Sequence, residues 1–497
     1  MSSALAEHER HSTTGSYLSG WLLLACVLGF LWLVVATTPG NLLWAHSGIL
    51  FGLGAVALWR YGWQATHALR AFTYRRVVFP RLRRAADSAP DAAHVYVVVL
   101  SFRMSAELNA AVYAALVRDL QHYGRPATIV ACVSDRSDVS QLNGLSRAAQ
   151  NIRFLPVQQS KLGKRDAMER ALDLLVRLHP VEDSVVVLFD GDTFIGEGTL
   201  RGAIPLLMAN ASVGAVTTDN VPLVAGRTID REWYRLRMRA RHLLMCSMSL
   251  SRRVLVLTGR FSILRSEVAL SRGFIATLGN DLMRHPRLGD IPMLTGDDKS
   301  TWYWTLRAGW DMLYVPDVVT YCMEKPPAGG FFASTCSLMI RYYGNMARNN
   351  GRALALGWSR LGPFTWLTLL DQRLSPWTSL SGPTLVLLVA VSVNPLLLPA
   401  YLAWALTVRL LQTAFIGGFG RAFHPAFPFL QFYNQIVGSV IKVYAFFHPH
   451  RQRWTRQGTG EVSGARGSGS WVLMLMAYIA FALAISLMLL RSATAAG

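Results

Sequence analysis

The stretch SVVVLFDGDTF, residues 184–194, decides the fold. Val185 to Phe189 is an unbroken apolar, β-branched run, the signature of a strand buried on both faces, as parallel sheets require. It runs straight into Asp190-Gly191-Asp192. Carboxylates at i and i+2 leave a strand on the same side, and the glycine lets a phosphate approach the backbone. Two hard oxygen donors with open positions suit Mg²⁺ or Mn²⁺ shared with a diphosphate. The same residues also make an ordinary strand-to-turn junction.

Outward from this strand the pattern repeats. VYVVVLSF (95–102) and TIVACVSD (128–135) read as buried strands, and ELNAAVYAALVRDLQHYG (107–124) and KRDAMERALDLLVRLH (164–179) as helices, the first ended by a glycine. Such alternation predicts βαβ units and a mainly parallel sheet. Ligands of these sheets sit at the carboxyl ends of the strands, where Asp135, Asp190 and Asp192 lie. Residues 93–350 are therefore expected to form an α/β domain.

The flanks are apolar. Tyr17–Pro39 is long enough to cross the ~30 Å hydrocarbon core, and Leu42–Trp59 follows after a Thr-Pro-Gly-Asn turn. Residues 1–60 thus read as a transmembrane hairpin. Residues 61–92 read as a basic cytoplasmic linker, because Arg70, Arg75, Arg76, Arg81, Arg83 and Arg84 follow the span. In residues 351–497, Leu380–Val393, Leu396–Leu411 and Trp471–Leu490 are candidate spans. Residues 432–447 are expected to lie at the cytoplasmic interface, since a crossing there would carry Arg451, Arg453 and Arg456 outward. Residues 457–470 read as a Gly/Ser linker.

Composition agrees. With 52% hydrophobic and 16% charged residues among 497, the chain is too apolar for disorder. Forty-nine Lys and Arg against 29 Asp and Glu give a net charge of +20, which positive cytoplasmic loops account for better than nucleic-acid binding. Five cysteines without close pairs or metal spacing fit reduced thiols. The spans are nearly free of charge, which argues against a transporter, and a binding module without catalysis would leave the acidic motifs incidental.

Further motifs carry chemistry. In LTGDDKS (294–300), Asp297 and Asp298 could place a general base at an acceptor hydroxyl; alternatively Thr295 or Asp297 caps a helix beginning at Ser300. Asp135 in SDRSD could meet a nucleotide base or lie in a polar loop. Lys161 and Lys164 in KLGKRD suit a diphosphate at a helix N-terminus, or form a solvated loop. REWYRLRMRARH (231–242) fits an anion-binding tunnel or a helix at lipid headgroups. Trp302 could stack on sugar or belong to the core. Arg260, after Thr258-Gly259, with Lys299 and Arg341, are candidate acceptor or polymer contacts.

The order Asp135, Lys161 and Lys164, Asp190-Gly191-Asp192, Asp297-Asp298 resembles the processive family 2 glycosyltransferases over residues 90–350, and the flanking membrane helices match. The resemblance implies a GT-A fold between N- and C-terminal transmembrane helices. It gives the nucleotide base to Asp135, the diphosphate and metal to Lys161, Lys164, Asp190 and Asp192, and the role of catalytic base to Asp298 beside Asp297. There is a departure. The Gln-x-x-Arg-Trp motif of cellulose and hyaluronan synthases is missing from IRYYGNMARNN (340–350), where Arg341 stands for the Gln and Asn345 for the Trp. Gln452-Arg453-Trp454 reads as a coincidence. LFDGDT, LTGDDKS, LTGRFSILRS (257–266), RYYGNM and FYNQIVG instead resemble the mannuronan synthases, the glycosyltransferase subunits of alginate polymerase. That implies GDP-mannuronate as donor, poly-β-1,4-mannuronate as growing acceptor, a cyclic di-GMP-binding co-polymerase and other secretion-complex proteins as partners, and a multi-pass place in a bacterial inner membrane with the catalytic domain cytoplasmic. Synthesis of another polysaccharide, cellulose- or hyaluronan-like, or a lipid-linked sugar transferase, are the alternatives.

Overall fold

The computed structural model describes residues 14–40, 47–101, 104–133, 144, 151–158, 163–327, 329–392, 394–418, 423–452 and 468–494. Helices α1 (Thr14–Thr37) and α2 (Ser47–Thr73) come first, and a π-helical turn at Tyr74–Val78 leads into α3 (Phe79–Ala86). The basic stretch is therefore helical rather than an extended linker. Pro80 sits in the first turn of α3, where a missing N–H costs little.

The α/β region follows. It comprises β1 (Val95–Leu100), α4 (Ala106–Tyr123), β2 (Ala127–Val133), β3 (Ile152–Gln158), α5 (Lys164–Arg177), β4 (Val185–Asp190), β5 (Thr193–Phe194) and α6 (Thr199–Met208). Next come β6 (Val213–Val224), α7 (Thr228–Ser249), β7 (Phe261–Arg265), α8 (Ser266–Ala269) and α9 (Arg272–Gly279). A hairpin of β8 (Leu282–His285) and β9 (Gly289–Pro292), then α10 (Asp297–Arg307) and β10 (Asp311–Glu324), complete it.

Eight strands form one sheet in the order β3-β2-β1-β4-β7-β6-β10-β5. The pairs β3/β2, β2/β1, β1/β4 and β6/β10 are parallel, so the expected mainly parallel sheet is found. Strands β1 and β2 are buried along their whole length and β4 as far as Phe189, which is why all three read as apolar runs. From β1 the chain winds outward to β2 and β3, then returns to β4 on the other side of β1. This reversal opens a crevice at the carboxyl ends of β1 and β4. Register pairs Leu100 with Asp190 there. Gly191 is required at this junction, because a Cβ would come within 2.9 Å of the Leu100 carbonyl oxygen.

Six helices follow: α11 (Phe331–Leu354), α12 (Trp358–Leu361), α13 (Pro363–Ser392), α14 (Leu397–Gly418), α15 (Phe427–Phe447) and α16 (Ser468–Thr494). Among the described residues, three helical segments are long and apolar enough to cross a membrane: Leu18–Thr37, Pro363–Ser392 and Gly469–Leu487. α13 begins at Pro363 rather than Leu380, running unbroken through Pro376 and Pro383. α15 packs against α11, α13 and α14. α1 packs on α14 through Leu31, Ala403 and Leu406, and the Trp32 indole donates to Thr407 Oγ1 at 3.0 Å. The 457–470 linker lies outside the described residues.

Candidate active site

Three elements converge on the crevice. β4 ends in Asp190, α5 begins with Lys164, and α10 begins with Asp297. The Lys164 ammonium bridges the other two, 2.8 Å from Asp190 Oδ1 and 2.8 Å from Asp297 Oδ2. Burial opposes the charge on Lys164, but these two carboxylates outweigh it and hold the amine protonated. The next residue, Arg165, reaches in the same direction and donates to Ser300 Oγ at 2.6 Å, clamping α10 from beneath. Ser300 in turn donates to Asp281 Oδ2 at 2.6 Å.

A third loop closes over the bridge. A Cβ on Gly259 would stand 2.8 Å from Lys164 Nζ, 3.3 Å from Asp190 Oδ2 and 3.5 Å from Asp297 Oδ2. A side chain there would have to displace the Lys164 ammonium. Sequence reasoning passed over Gly259; its place between Thr258 and Arg260 in LTGRF was the available signal.

Asp190, Asp297 and Asp298 differ electrostatically. Asp190 is pushed up to about 6, by burial first, with Asp192 and Asp297 adding to it and Lys164 opposing. Burial also raises Asp298, and Asp297 raises it further. For Asp297 burial acts upward too, yet Lys164 and Arg165 prevail and hold it below the usual carboxylate range. Asp298 is thus the better proton acceptor of the adjacent pair, since a base works best when its pKa lies toward the working pH. The donor set at Asp190 and Asp192 fits a divalent cation: two hard oxygen donors close enough that Asp192 adds to the proton affinity of Asp190, with room at the cavity.

The first turn of α10 differs from expectation. Helix α10 starts at Asp297, not Ser300, and its N-cap is Gly296 at φ +78, without a side-chain cap. A Cβ on Gly296 would come within 2.6 Å of Asn345 Cγ. Thr295 therefore does not cap; its hydroxyl donates to Asn345 Oδ1 at 2.7 Å. Asp298 Oδ1 accepts from the Lys299 amide at 2.8 Å.

Gln452, read as part of a coincidental motif, has a structural role, while Arg453 and Trp454 lie outside the described residues. It is 3% exposed. Its Oε1 accepts from the amides of Leu294 and Thr295 at 3.1 and 3.4 Å, and its Nε2 donates to the Pro292 carbonyl at 2.8 Å. The loop that delivers Asp297 and Asp298 is pinned by a residue from the far end of the chain. Arg348 joins it, donating to Pro449 O at 3.1 Å and Thr295 Oγ1 at 3.2 Å.

Two expected acceptor contacts are corrected. Trp302 is fully buried and its indole donates to Val254 O at 2.6 Å, so it is core and not a sugar platform. Lys299 is also buried. Its ammonium donates to Leu255 O and Asn350 Oδ1 and stands 4.2 Å from the Trp302 ring, and burial lowers it to about 8. It braces the site from the wall. Arg260 pairs with Glu324 at the end of β10, and Arg341 donates to the Tyr342 hydroxyl at 3.1 Å; both border the cavity described next. Asp135 and Lys161 lie outside the described residues.

One cavity of about 1580 Å³ extends from this cluster. At one end Lys164, Asp190, Asp192, Asp297 and Asp298 line it; at the other, Val35, Val386, Val389, Leu397 and Trp404 from α1, α13 and α14. Along α7 the arginines divide. Arg237 and Arg241, four apart, face the cavity, while Arg231 and Arg235 bond within their own helix to Thr228 and Glu232.

Residues 90–345 match the glycosyltransferase-like family 2. Glycosyltransferase alg8 of Pseudomonas syringae pv. tomato is 38% identical over 449 residues, covering 89% of this chain and 90% of that one. Glycosyltransferase alg8 of Azotobacter vinelandii is 37% identical over 448 residues, with the same coverage. A more distant likeness is the structure of TarS 1–349 from S. aureus in complex with UDP-GlcNAc, with TM-score 0.34 and 12% identity, covering 71% of this chain and 91% of that one. The matched family spans the strands and helices that gather the carboxylates, and the Alg8 relatives extend the likeness into the apolar helices on both sides: the chain belongs to the family 2 glycosyltransferases.

Proposed function

We propose that this enzyme is a processive, multi-pass synthase of a bacterial inner membrane, adding mannuronic acid from GDP-mannuronate to a growing poly-β-1,4-mannuronate chain. The observation that supports it most is the single cavity joining the acidic cluster to helices α1, α13 and α14, because a product that must leave through a membrane needs a path that begins where it is made. The similarity to two Alg8 glycosyltransferases along nine-tenths of the chain supports the sugar class.

In this reading Asp298 accepts the proton of the acceptor hydroxyl as its oxygen attacks the anomeric carbon. The bond from that carbon to the diphosphate oxygen breaks, GDP departs, and the configuration inverts. Asp297, held low by Lys164, stays ionised and fixes Lys164 at the diphosphate end. Asp190 and Asp192 would hold a divalent cation, Mg²⁺ or Mn²⁺, which would supply positive charge to the leaving diphosphate. Asp135 and Lys161 complete the nucleotide site. Residues 60–375 face the cytoplasm, where the donor is made, and a cyclic di-GMP-binding co-polymerase joins from the membrane.

Membrane vesicles containing the full chain and its partners, offered GDP-mannuronate, UDP-glucose and UDP-glucuronate in parallel, test this. Polymer is expected from GDP-mannuronate alone. Polymer from UDP-glucose, with none from GDP-mannuronate, overturns the substrate assignment.

A further inference from the structure

Away from the acidic cluster, the cavity wall carries more cations than carboxylates. Leaving aside Lys164 and Lys299, it carries eight lysine or arginine side chains and one carboxylate, Glu324, which Arg260 already engages. Arg60 has Asp371 at 2.6 Å. Lys442 and Arg409 have no carboxylate at ion-pair distance among the described residues, although Asp371 acts on Lys442 from further away. Lys442 of α15 makes no hydrogen bond or ion pair among the described residues; its ammonium stands 5.0 Å from the Tyr343 ring centroid. Arg409 of α14 is held by the neutral amides of Gln435 and Gln412. Arg237 lies between the rings of Trp233 and Tyr342, at 4.4 and 4.6 Å.

Removing a cation from bulk water without a counter-charge is unfavourable by several kcal/mol. Such groups persist where a ligand supplies the missing charge. These cations point into the cavity, not outward to headgroups, so a bilayer surface does not satisfy them. Between them stand uncharged hydrogen-bonding groups, Gln435, Ser439, Tyr401 and Asn434, which suit sugar hydroxyls. Spaced cations separated by amides and hydroxyls match an extended ligand with one carboxylate per unit and hydroxyls between.

We propose that Lys442 and Arg409 form a carboxylate-binding subsite for the uronate units of the product chain, on the path between the acidic cluster and the membrane helices. The proposal rests on the reading of the product as an acidic polysaccharide. It makes acid-over-neutral selectivity a property of the exit path as well as of the donor pocket.

The test uses the full chain in nanodiscs and equilibrium binding of two probes, β-1,4-linked mannuronate hexamer and its uncharged analogue mannohexaose. The wild type is expected to bind the acidic hexamer at least tenfold more tightly than the neutral one, and less tightly as salt rises. Lys442→Met and Arg409→Gln should each weaken acidic-hexamer binding by about tenfold. Lys442→Arg should keep most of the wild-type affinity, and GDP binding, read at the opposite end, should move less than twofold. Equal binding of the two hexamers by the wild type overturns the proposal, as does unchanged acidic-hexamer binding in Lys442→Met. Should Lys442→Met also lose GDP binding through misfolding, the acid-over-neutral ratio of Lys442→Arg against wild type decides: retained preference supports the subsite, lost preference sinks it. If neither hexamer binds, and exchanging phosphatidylglycerol for phosphatidylcholine shifts the melting temperature of wild type but not of Lys442→Met, the site belongs to a lipid headgroup and the proposal falls. The donor assignment fails separately: acidic hexamers binding through Lys442, with no polymer from GDP-mannuronate, leave the subsite standing and remove only the donor.

Discussion

At the sheet end of the cavity, charges are already paired: Lys164 holds Asp190 and Asp297 in place, and Arg165 secures the helix behind them. At the helical end, Lys442 and Arg409 face the cavity with rings and amides for neighbours. The contrast fits the work proposed for each end. Bond-making needs reacting groups fixed before substrate arrives, because reorganisation during the reaction raises the barrier. In the proposed path for a growing chain the reverse is expected at Lys442 and Arg409, where a preformed ion pair would compete with an acidic ligand.

That contrast can be broken at the sheet end first. Asp298→Asn should lower turnover by about 10²–10⁴-fold while GDP binding persists, whereas Asp190→Ala should lose turnover and metal-dependent nucleotide binding together. Loss of GDP binding by Asp298→Asn in a nucleotide-binding assay would remove it from the role of base. Gly259→Ala should come next. A methyl 2.8 Å from Lys164 Nζ must push the bridge aside, and a displacement of that order costs about 10²-fold in steady-state turnover. Near-wild-type turnover would show that the bridge is not preassembled.

Gln452→Ala sharpens the comparison. It releases two amides and a carbonyl of the loop before Asp297, so kcat should fall about tenfold with the donor KM within twofold. A rise in KM without a fall in kcat would place Gln452 in donor binding instead. The smallest effect on chemistry belongs to Trp302→Phe. It should lose about 2 kcal/mol of stability from the missing hydrogen bond and volume, seen as a lower melting temperature, while kcat and acceptor affinity stay within twofold. Weakened acceptor binding with unchanged melting would restore Trp302 as a sugar contact.

The sheet and its carboxylates were legible because their signals are local. A strand buried on both faces has to be apolar throughout, and Asp190, Asp192, Asp297 and Asp298 sit where strands or loops give way to turns and helices. The split of the α7 arginines was not legible, because Arg231 and Arg235 share the four-residue spacing of Arg237 and Arg241, and only the last two line the cavity. Trp302 shows where local reading stops. In Trp302-Tyr303-Trp304 each ring takes a different side of α10: the first enters the core, the second lies beneath Arg352, the third meets Phe274. Adjacency cannot say which. The extent of α13 was hidden because the apolar run becomes continuous only from Leu380, whereas the helix already runs from Pro363 through Pro376, neighbouring helices being able to satisfy the backbone groups that a proline frees. Gln452 left no trace near its partners, since 157 and 158 positions separate it from the amides it holds.

The position of Gln452 has a mechanical meaning. Its side chain grips the approach to α10, and its backbone follows α15 by five residues, past His448, whose ring packs on Trp471 at the start of the final apolar helix. Gln452 thus ties the start of the final apolar helix to the approach of the acid pair, so a displacement of that helix relative to the sheet would be felt first in the hydrogen bonds to Leu294 and Thr295.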